Sequence, residues 1–469
     1  MKITSGNKIS HPVYPPDISG NNIFSSGAGH YCLLILTLIV LLFAGCRTEI
    51  VPEEFQPRNE YEAYLHSLEQ ANLAGTALGK DWVEAGENAL IKSFDITLPF
   101  HEELYFDPGG TDAVGYHFFA LRGVRIEIDI NVHSTDSLKI FAGLFRQSGD
   151  SIPEWTHVAS AGKDTLRLEF EPRRDAPYVF RLQPELLRGG RFSILIREVP
   201  SIGFPVTGKN SQAIWSFFDD PRYGANGPVR HNGIDIFAAR HTPVVAPTDA
   251  EVTRVGEGEI GGRYVWLRDR KRSMNLYFAH LQTQEVVPGE IVVKGQVIGT
   301  VGNTGNAITT PPHLHFGIYS RGPVDPLHFV IETDTVPSKI SGDTLLLGEH
   351  VRSNQTVIVR SSPGSRSNIV DTLESHSVML IKALTGNLCR VELPDGSSGY
   401  IPGSYIESIK NVILEQVISD TAYLLDAPGM NAVCMSNIDP GERFSVLGKY
   451  GNYLYGKTSG ERTGWIPVL

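Results

Sequence analysis

Apolar positions change their rhythm several times along the chain, and each change predicts a different element. From Cys32 to Phe43 they form one run, "CLLILTLIVLLF", too short to span a bilayer comfortably and of signal-peptide length. After a polar, proline-bearing tether, Tyr61, Leu65 and Leu68 recur at helical spacing and predict one amphipathic helix to about Leu78. Between Ile91 and Val199 the period shortens to two. Val124, Ile126, Ile128 and Ile130 alternate with charged partners, and "LRLEF", "YVFRLQP" and "FSILIREV" behave alike. Turn residues between these runs predict a β-sandwich. Strand-like patterns continue from about Pro200 to Val330, followed by the linker "IETDTVPSKISGD". Beyond it, "VIVRSSPGS" is echoed by "AYLLDAPGM" and "PDGSSGYIP" by "TSGERTGWIP", a repeat with a period near 65 residues that predicts two small barrels. The expected fold class is mainly β. Its expected parts are a signal segment (1–45), a tether and helix (46–90), a β-sandwich accessory domain (91–200), an antiparallel β-sheet domain (201–330), a linker (331–345) and two barrels (346–410 and 411–469).

Composition narrows the function classes. The chain has 469 residues and a formal net charge of -11, which argues against a nucleic-acid binder, so no nucleic-acid partner is expected. Of four cysteines, Cys32 and Cys46 fall in the N-terminal segment, and the two that remain do not make a disulfide framework. Cys32 lies in the apolar run, while Cys389 and Cys434 sit in apolar strand-like contexts and read as small buried residues. "FAGC", ending at Cys46, resembles a bacterial lipobox, with Phe43 where leucine is usual. That resemblance implies cleavage before Cys46, a lipid on Cys46, and an exported lipoprotein held to a membrane of the cell envelope. With Arg47 following, the expected place is the outer membrane, facing the periplasm. The C-terminal repeats resemble bacterial SH3-like domains, which commonly bind cell-wall peptides. The usual tryptophan of the middle strand is replaced by Leu388 and Cys389 in the first unit.

Candidate chemistry is concentrated between Pro200 and Val330. In "TTPPHLHFGIY", His313 and His315 are one residue apart in a strand pattern, so both imidazoles stand on one face. That suits either a metal site or a proton-transfer site. "RHNGIDIFA" places His231 and Asp235 four apart, an even spacing that shares a face in extended structure, with Gly233 leaving room between them. An imidazole and a carboxylate are good zinc ligands, and the His-x-His strand offers a third. Three protein ligands leave one position for water, the arrangement of a catalytic rather than a structural zinc. One histidine of the pair then serves the metal. The other, with His280 of "LYFAHLQ", is free to move protons. His241 and His328 lie outside these motifs and read as structural.

Taken together, "VRHNGIDIFAARHTPVVAPTDAEVTRVG", "YFAHL", "VKGQVIGTVGNTGN" and "PPHLHFGIY" resemble the lysostaphin/LytM-type zinc metallopeptidases, which cleave peptide bonds in peptidoglycan. The resemblance covers roughly residues 210 to 330 and every site position of the family is occupied. It implies that His231, Asp235 and His315 bind zinc, that His280 and His313 assist the attacking water, and that a groove lies above the metal. The chain departs from the pattern at His241 and Asp219, both where glycine is common. The expected function is a zinc-dependent endopeptidase acting on peptidoglycan cross-links or stem peptides. The alternative is a non-catalytic wall-binding lipoprotein that activates another wall hydrolase; the complete ligand set favours catalysis. A zinc hydrolase of non-wall peptides fits the site but not the SH3-like repeats.

Overall fold

A computed structural model describes residues 56–133, 138–149, 153–162, 165–224, 227–332 and 336–468. The expected signal segment and the expected lipid site Cys46 lie outside the described residues. Among those residues, no helix is long and apolar enough to cross a membrane.

The single helix expected from Tyr61 to Leu78 is instead two, Glu60–Gln70 and Ala77–Ile91. The chain turns between them at Asn72, whose φ of 56° lies outside the right-handed helix. Thr76 then caps the second helix, its hydroxyl accepting a hydrogen bond from the Gly79 N–H at 3.1 Å. Apolar residues continue through the turn, but Leu73 and Leu78 are exposed, so they carry no helical face. The anchor of the pair is Trp82 in the second helix. It is buried against Tyr61, Tyr64 and Phe141, and its indole N–H donates to the Pro184 carbonyl at 2.9 Å.

The remainder is mainly β, as the alternating patterns predict. Strand ladders are antiparallel except for a two-residue parallel pair at Phe94–Asp95. In the strand Val124–Val132, Ile126, Ile128 and Ile130 turn inward. They meet Tyr116, Phe118, Leu144 and Phe180 of a facing five-stranded sheet in one shared core.

That first sheet continues beyond the segment. Strand Phe100–Phe106 pairs on one side with Gly190–Pro200 and on the other with Val378–Thr385, far along the chain, where Leu104 lies opposite Ala383. The seam buries Glu102 completely. Arg390 reaches this carboxylate at 3.2 Å, and the hydroxyls of Tyr116 and Tyr400 donate to it. Burial alone would lower the Arg390 guanidinium, but the Glu102 charge outweighs it and keeps the side chain charged.

The C-terminal repeat is visible in strand positions. Strands beginning at Val357, Ile369, Val378, Leu388 and Ser398 recur 65 residues later at Ala422, Cys434, Arg443, Tyr453 and Thr463. Their neighbour order is the same in both units. Cys389 is buried, and burial pushes its thiol up to about 11. Cys434, expected to be buried, is exposed. It opens the edge strand Cys434–Ile438, in which only Ile438 is fully buried in the core.

Residues 214–324 supply a ten-stranded antiparallel sheet, in which His313–Tyr319 runs between Ile234–Phe237 and Met274–Gln284. Ile234, Ile236, Leu314, Phe316, Ile318, Leu276 and Phe278 pack on its core side. The alternate residues of the same strands, Asp235, His313, His315 and Tyr277, therefore occupy the opposite face.

Replacing Arg390 with methionine leaves Glu102 buried without its counter-charge, and the expected cost is about 3–5 kcal/mol. Urea unfolding measures it. The double variant Glu102→Gln with Arg390→Met is expected to recover most of the loss.

Candidate metal centre

Register builds the centre. Asp235 is the direct cross-strand partner of His315, and Phe237 of His313. His231 precedes the strand, which begins only at Ile234, so its approach to Asp235 comes from a turn and not from the extended spacing expected. Its backbone N–H donates to the Asp220 carbonyl at 3.0 Å, and its Nδ1 lies 2.8 Å from the Phe217 carbonyl. The Phe217 carbonyl favours a proton on Nδ1, which leaves Nε2 a lone pair; the Arg222 guanidinium, 3.1 Å from Nδ1, finds its acceptors instead in Ser216 Oγ and Asp235 Oδ2. Gly233 is required here: a Cβ would fall 2.5 Å from the Phe316 carbonyl oxygen and 2.9 Å from the His315 ring.

Three donor atoms converge. His231 Nε2 lies 3.0 Å from His315 Nδ1 and 3.1 Å from Asp235 Oδ1, and His315 Nδ1 lies 3.0 Å from the same oxygen. Tetrahedral zinc with bonds of about 2.0–2.2 Å sets its ligand atoms about 3.3 Å apart, so this triangle needs only a few tenths of an ångström of adjustment. These three residues form the metal-type cluster found among the described residues. Burial alone would raise the Asp235 carboxyl, but the hydrogen bonds and charge of His231 and His315 outweigh it. The group is held well below the usual carboxylate range and stays ionised. Burial likewise pushes His315 down, against the pull of Asp235. An ionised carboxylate and neutral imidazoles are the forms that ligate a metal.

His280 and His313 stand beside this triangle. Ala279 is paired with His315, so regular alternation would aim His280 at the core. Instead the strand carries an extra residue, with three steps between Phe278 and Leu281 set against two between Val265 and Arg263. His280 absorbs it at φ 61°, a left-handed conformation of the kind that clusters at functional sites. Its ring lies 5.0 Å from that of His313 and 6.0 Å from that of His315. His280 Nδ1 is 2.9 Å from the Thr304 carbonyl, and His313 Nδ1 is 2.9 Å from the Pro311 carbonyl. Each backbone oxygen takes an Nδ1 proton and leaves Nε2 as the accepting nitrogen. Burial, joined by the neighbouring imidazoles, pushes His280 down to about 4, so it is neutral near pH 7.

Several contributors escaped the sequence patterns. Arg222 comes from the hairpin Pro221–Gly224/Gly227–Arg230; its guanidinium is 2.5 Å from Asp235 Oδ2 and 2.5 Å from Ser216 Oγ. It holds the outer carboxylate oxygen while Oδ1 faces the triangle. Phe237 stacks on His313 at 4.9 Å and on Trp215 at 5.0 Å, which fixes the plane of the imidazole. His241 and Asp219, the two departures from glycine, have φ of 70° and 65°. Glycine is the usual solution at such angles, and Asp and His are among the residues that tolerate them. His241 and His328 are exposed and do not join the cluster.

Residues 229–326 match the description "Peptidase family M23", and this segment is an M23 peptidase domain. Over 131 residues the chain is 38% identical to an uncharacterized metalloprotease of Haemophilus influenzae, covering 27% of this chain and 26% of that protein. It is 37% identical over 123 residues to an L-Ala--D-Glu endopeptidase of Bacillus subtilis, 25% of this chain and 37% of that protein. It is 38% identical over 92 residues to the peptidoglycan DD-endopeptidase ShyC of Vibrio cholerae, 20% of this chain and 21% of that protein. The chain therefore spans between 21% and 37% of the length of these curated relatives. The family is zinc-dependent, and the His/Asp/His donor set fits that ion.

Asp235→Ala is expected to abolish stoichiometric zinc, and His313→Ala to retain it, as read by metal analysis of the purified chains. Loss of zinc from His313→Ala would mean that the ligands are wrongly divided. Arg222→Leu is expected to weaken zinc binding by about 10–100-fold in competition with a chromophoric chelator, because the outer carboxylate oxygen loses its partner.

Proposed function

We propose that this chain is a zinc-dependent endopeptidase that hydrolyses peptide bonds of bacterial peptidoglycan. The observation that carries the reading is the division of one sheet face into two sets: three converging donors, and beside them two imidazoles whose Nδ1 atoms are tied to backbone carbonyls. A structural metal site has no need of the second set. The peptidoglycan substrate is supported by the M23 match and by relatives such as the DD-endopeptidase of Vibrio cholerae.

His231, Asp235 and His315 would hold the ion. When bound, zinc supplies Lewis acidity, polarising a carbonyl and making water acidic near neutral pH. The remaining work falls to the chain's own groups. A neutral Nε2 of His280 or His313 takes the proton of the attacking water as its oxygen bonds to the carbonyl carbon. The imidazolium so formed is stabilised by the Thr304 or Pro311 carbonyl at its other nitrogen. The second imidazole, its Nε2 also unprotonated, accepts a hydrogen bond from the same water and orients it for attack. As the carbon–nitrogen bond breaks, the proton passes to the departing amine. Stacking of Phe237 on His313 and the constrained backbone of His280 keep both rings in place without reorganisation.

The setting forms part of the same proposal. Export, lipidation at Cys46 and an outer-membrane site facing the periplasm would bring the enzyme to its substrate, and the two SH3-like repeats would hold wall peptides near it.

The test is digestion of purified peptidoglycan, with muropeptides analysed by mass spectrometry. New free peptide ends that vanish with a zinc chelator and return with zinc are expected, and their identity names the bond. An intact wall in the presence of a zinc-loaded chain would contradict the proposal.

A further inference from the structure

A cleft of about 1100 Å³ lies between the metal-bearing sheet and the strands of the alternating segment. Seven lysine or arginine side chains line it, against two glutamates, in a chain whose net charge is -11. Some of this charge is spent internally. Arg125 pairs with Glu127 and Glu169, and Lys271 and Arg272 pair with Glu171 across the cleft. The guanidinium groups of Arg122 and Arg173 on one wall and of Arg321 on the other form no ion pair among the described residues, although the Arg122 backbone N–H donates to the Asp175 carboxylate at 2.7 Å. Arg268 meets only the amide oxygen of Asn275, at 3.2 Å. Four guanidinium groups therefore line the cleft without an ion-pair partner.

The cleft and the metal centre lie along the same face of one strand. Tyr319 lines it and shares a strand face with His315, four residues away, which in a strand is about 13 Å. Aromatic rings floor the interval: Tyr277 lies 5.8 Å from His315, and Trp266 lies 4.5 Å from Tyr277 and 5.1 Å from Tyr319. An extended peptide covers about 13 Å in roughly four residues. Arginine recognises carboxylates through paired N–H bonds, and aromatic faces suit the peptide between. The aromatic floor offers nothing to a uniformly anionic polymer such as a polyphosphate, whereas a stem peptide brings an extended backbone and free carboxylates together.

We propose that this cleft is the distal end of the substrate path, where unpaired arginines from both walls bind the free carboxylates of a peptidoglycan stem peptide that is to be cut at the metal centre. The inference rests on the proposed function for its choice of ligand, and it gives the accessory strands a part in selecting that ligand.

The test measures binding without turnover. The metal-stripped full chain is sedimented with sacculi freed of attached polymers, either native or with their carboxylates amidated by carbodiimide. Arg173 and Arg321 are exposed and unpaired, so R173E/R321E should fold, and R173Q/R321Q serves if the reversal does not. Reversal is expected to weaken binding to native sacculi by about fivefold or more, and amidation to weaken the parent to the same level. Parent and variant should then bind amidated sacculi alike. Equal binding of parent and variant to native sacculi would overturn the proposal, as would an equal loss on both kinds of sacculi. Displacement of the parent by inorganic polyphosphate, with no effect of amidation, would assign the cleft to phosphate polymers and also overturn it. Because no bond is cut in the assay, a chain that binds in this way yet fails to digest peptidoglycan would refute the enzymatic reading alone.

Discussion

Asp235 stands opposite His315 because two neighbouring strands are held in one register, and the chemistry of the molecule depends on that pairing. Side chains alternate along a strand, so a slip of His313–Tyr319 by one residue would turn His313 and His315 into the core and bring Leu314 and Phe316 out. The apolar core beneath is what forbids the slip. Ile234, Ile236, Leu314, Phe316 and Ile318 are all fully buried. Stability and function are thus two faces of one constraint: the residues that bury the sheet fix the direction of those that gather the metal.

The parts of the site that follow from period two were legible in the sequence. His313 and His315 share a face because they are two apart, and they do so in the structure. The pairing of His231 with Asp235 was also legible, although by a turn and not by an extended run. His280 was legible as a histidine left over for proton transfer, but its direction was not. Alternation alone points it into the core, and a bulge at a left-handed residue reverses that direction. Arg222 had no signal. Its hairpin reaches Asp235 only after the chain has folded, and nothing in "PRYGANGPVR" marks one arginine from the other. The helical region shows the opposite failure, since apolar spacing persisted through a turn that Asn72 and Thr76 impose.

Beyond the site, the 65-residue repeat was readable because turn residues and strand starts recur together. What no local pattern discloses is that the first repeat extends the sheet of residues 100–200 and buries Glu102 against Arg390, 288 residues away. A buried carboxylate with a guanidinium and two tyrosine hydroxyls adds specificity more than stability, because only one docking satisfies all of its partners. The metal-bearing sheet is joined to the same body by Arg272, which reaches Glu171, Asp269 and the Ser201 carbonyl. Residues 58–469 accordingly pack as one compact unit.

The central claim is that His231, Asp235 and His315 hold zinc while His280 and His313 stand apart from it. Anomalous diffraction at the zinc absorption edge, from crystals of the zinc-loaded chain, tests it most directly. The account predicts one peak bonded to His231 Nε2, Asp235 Oδ1 and His315 Nδ1, with the rings of His280 and His313 nearby but unbonded. A peak bonded to His280 or His313, or no peak within this triangle, would contradict it.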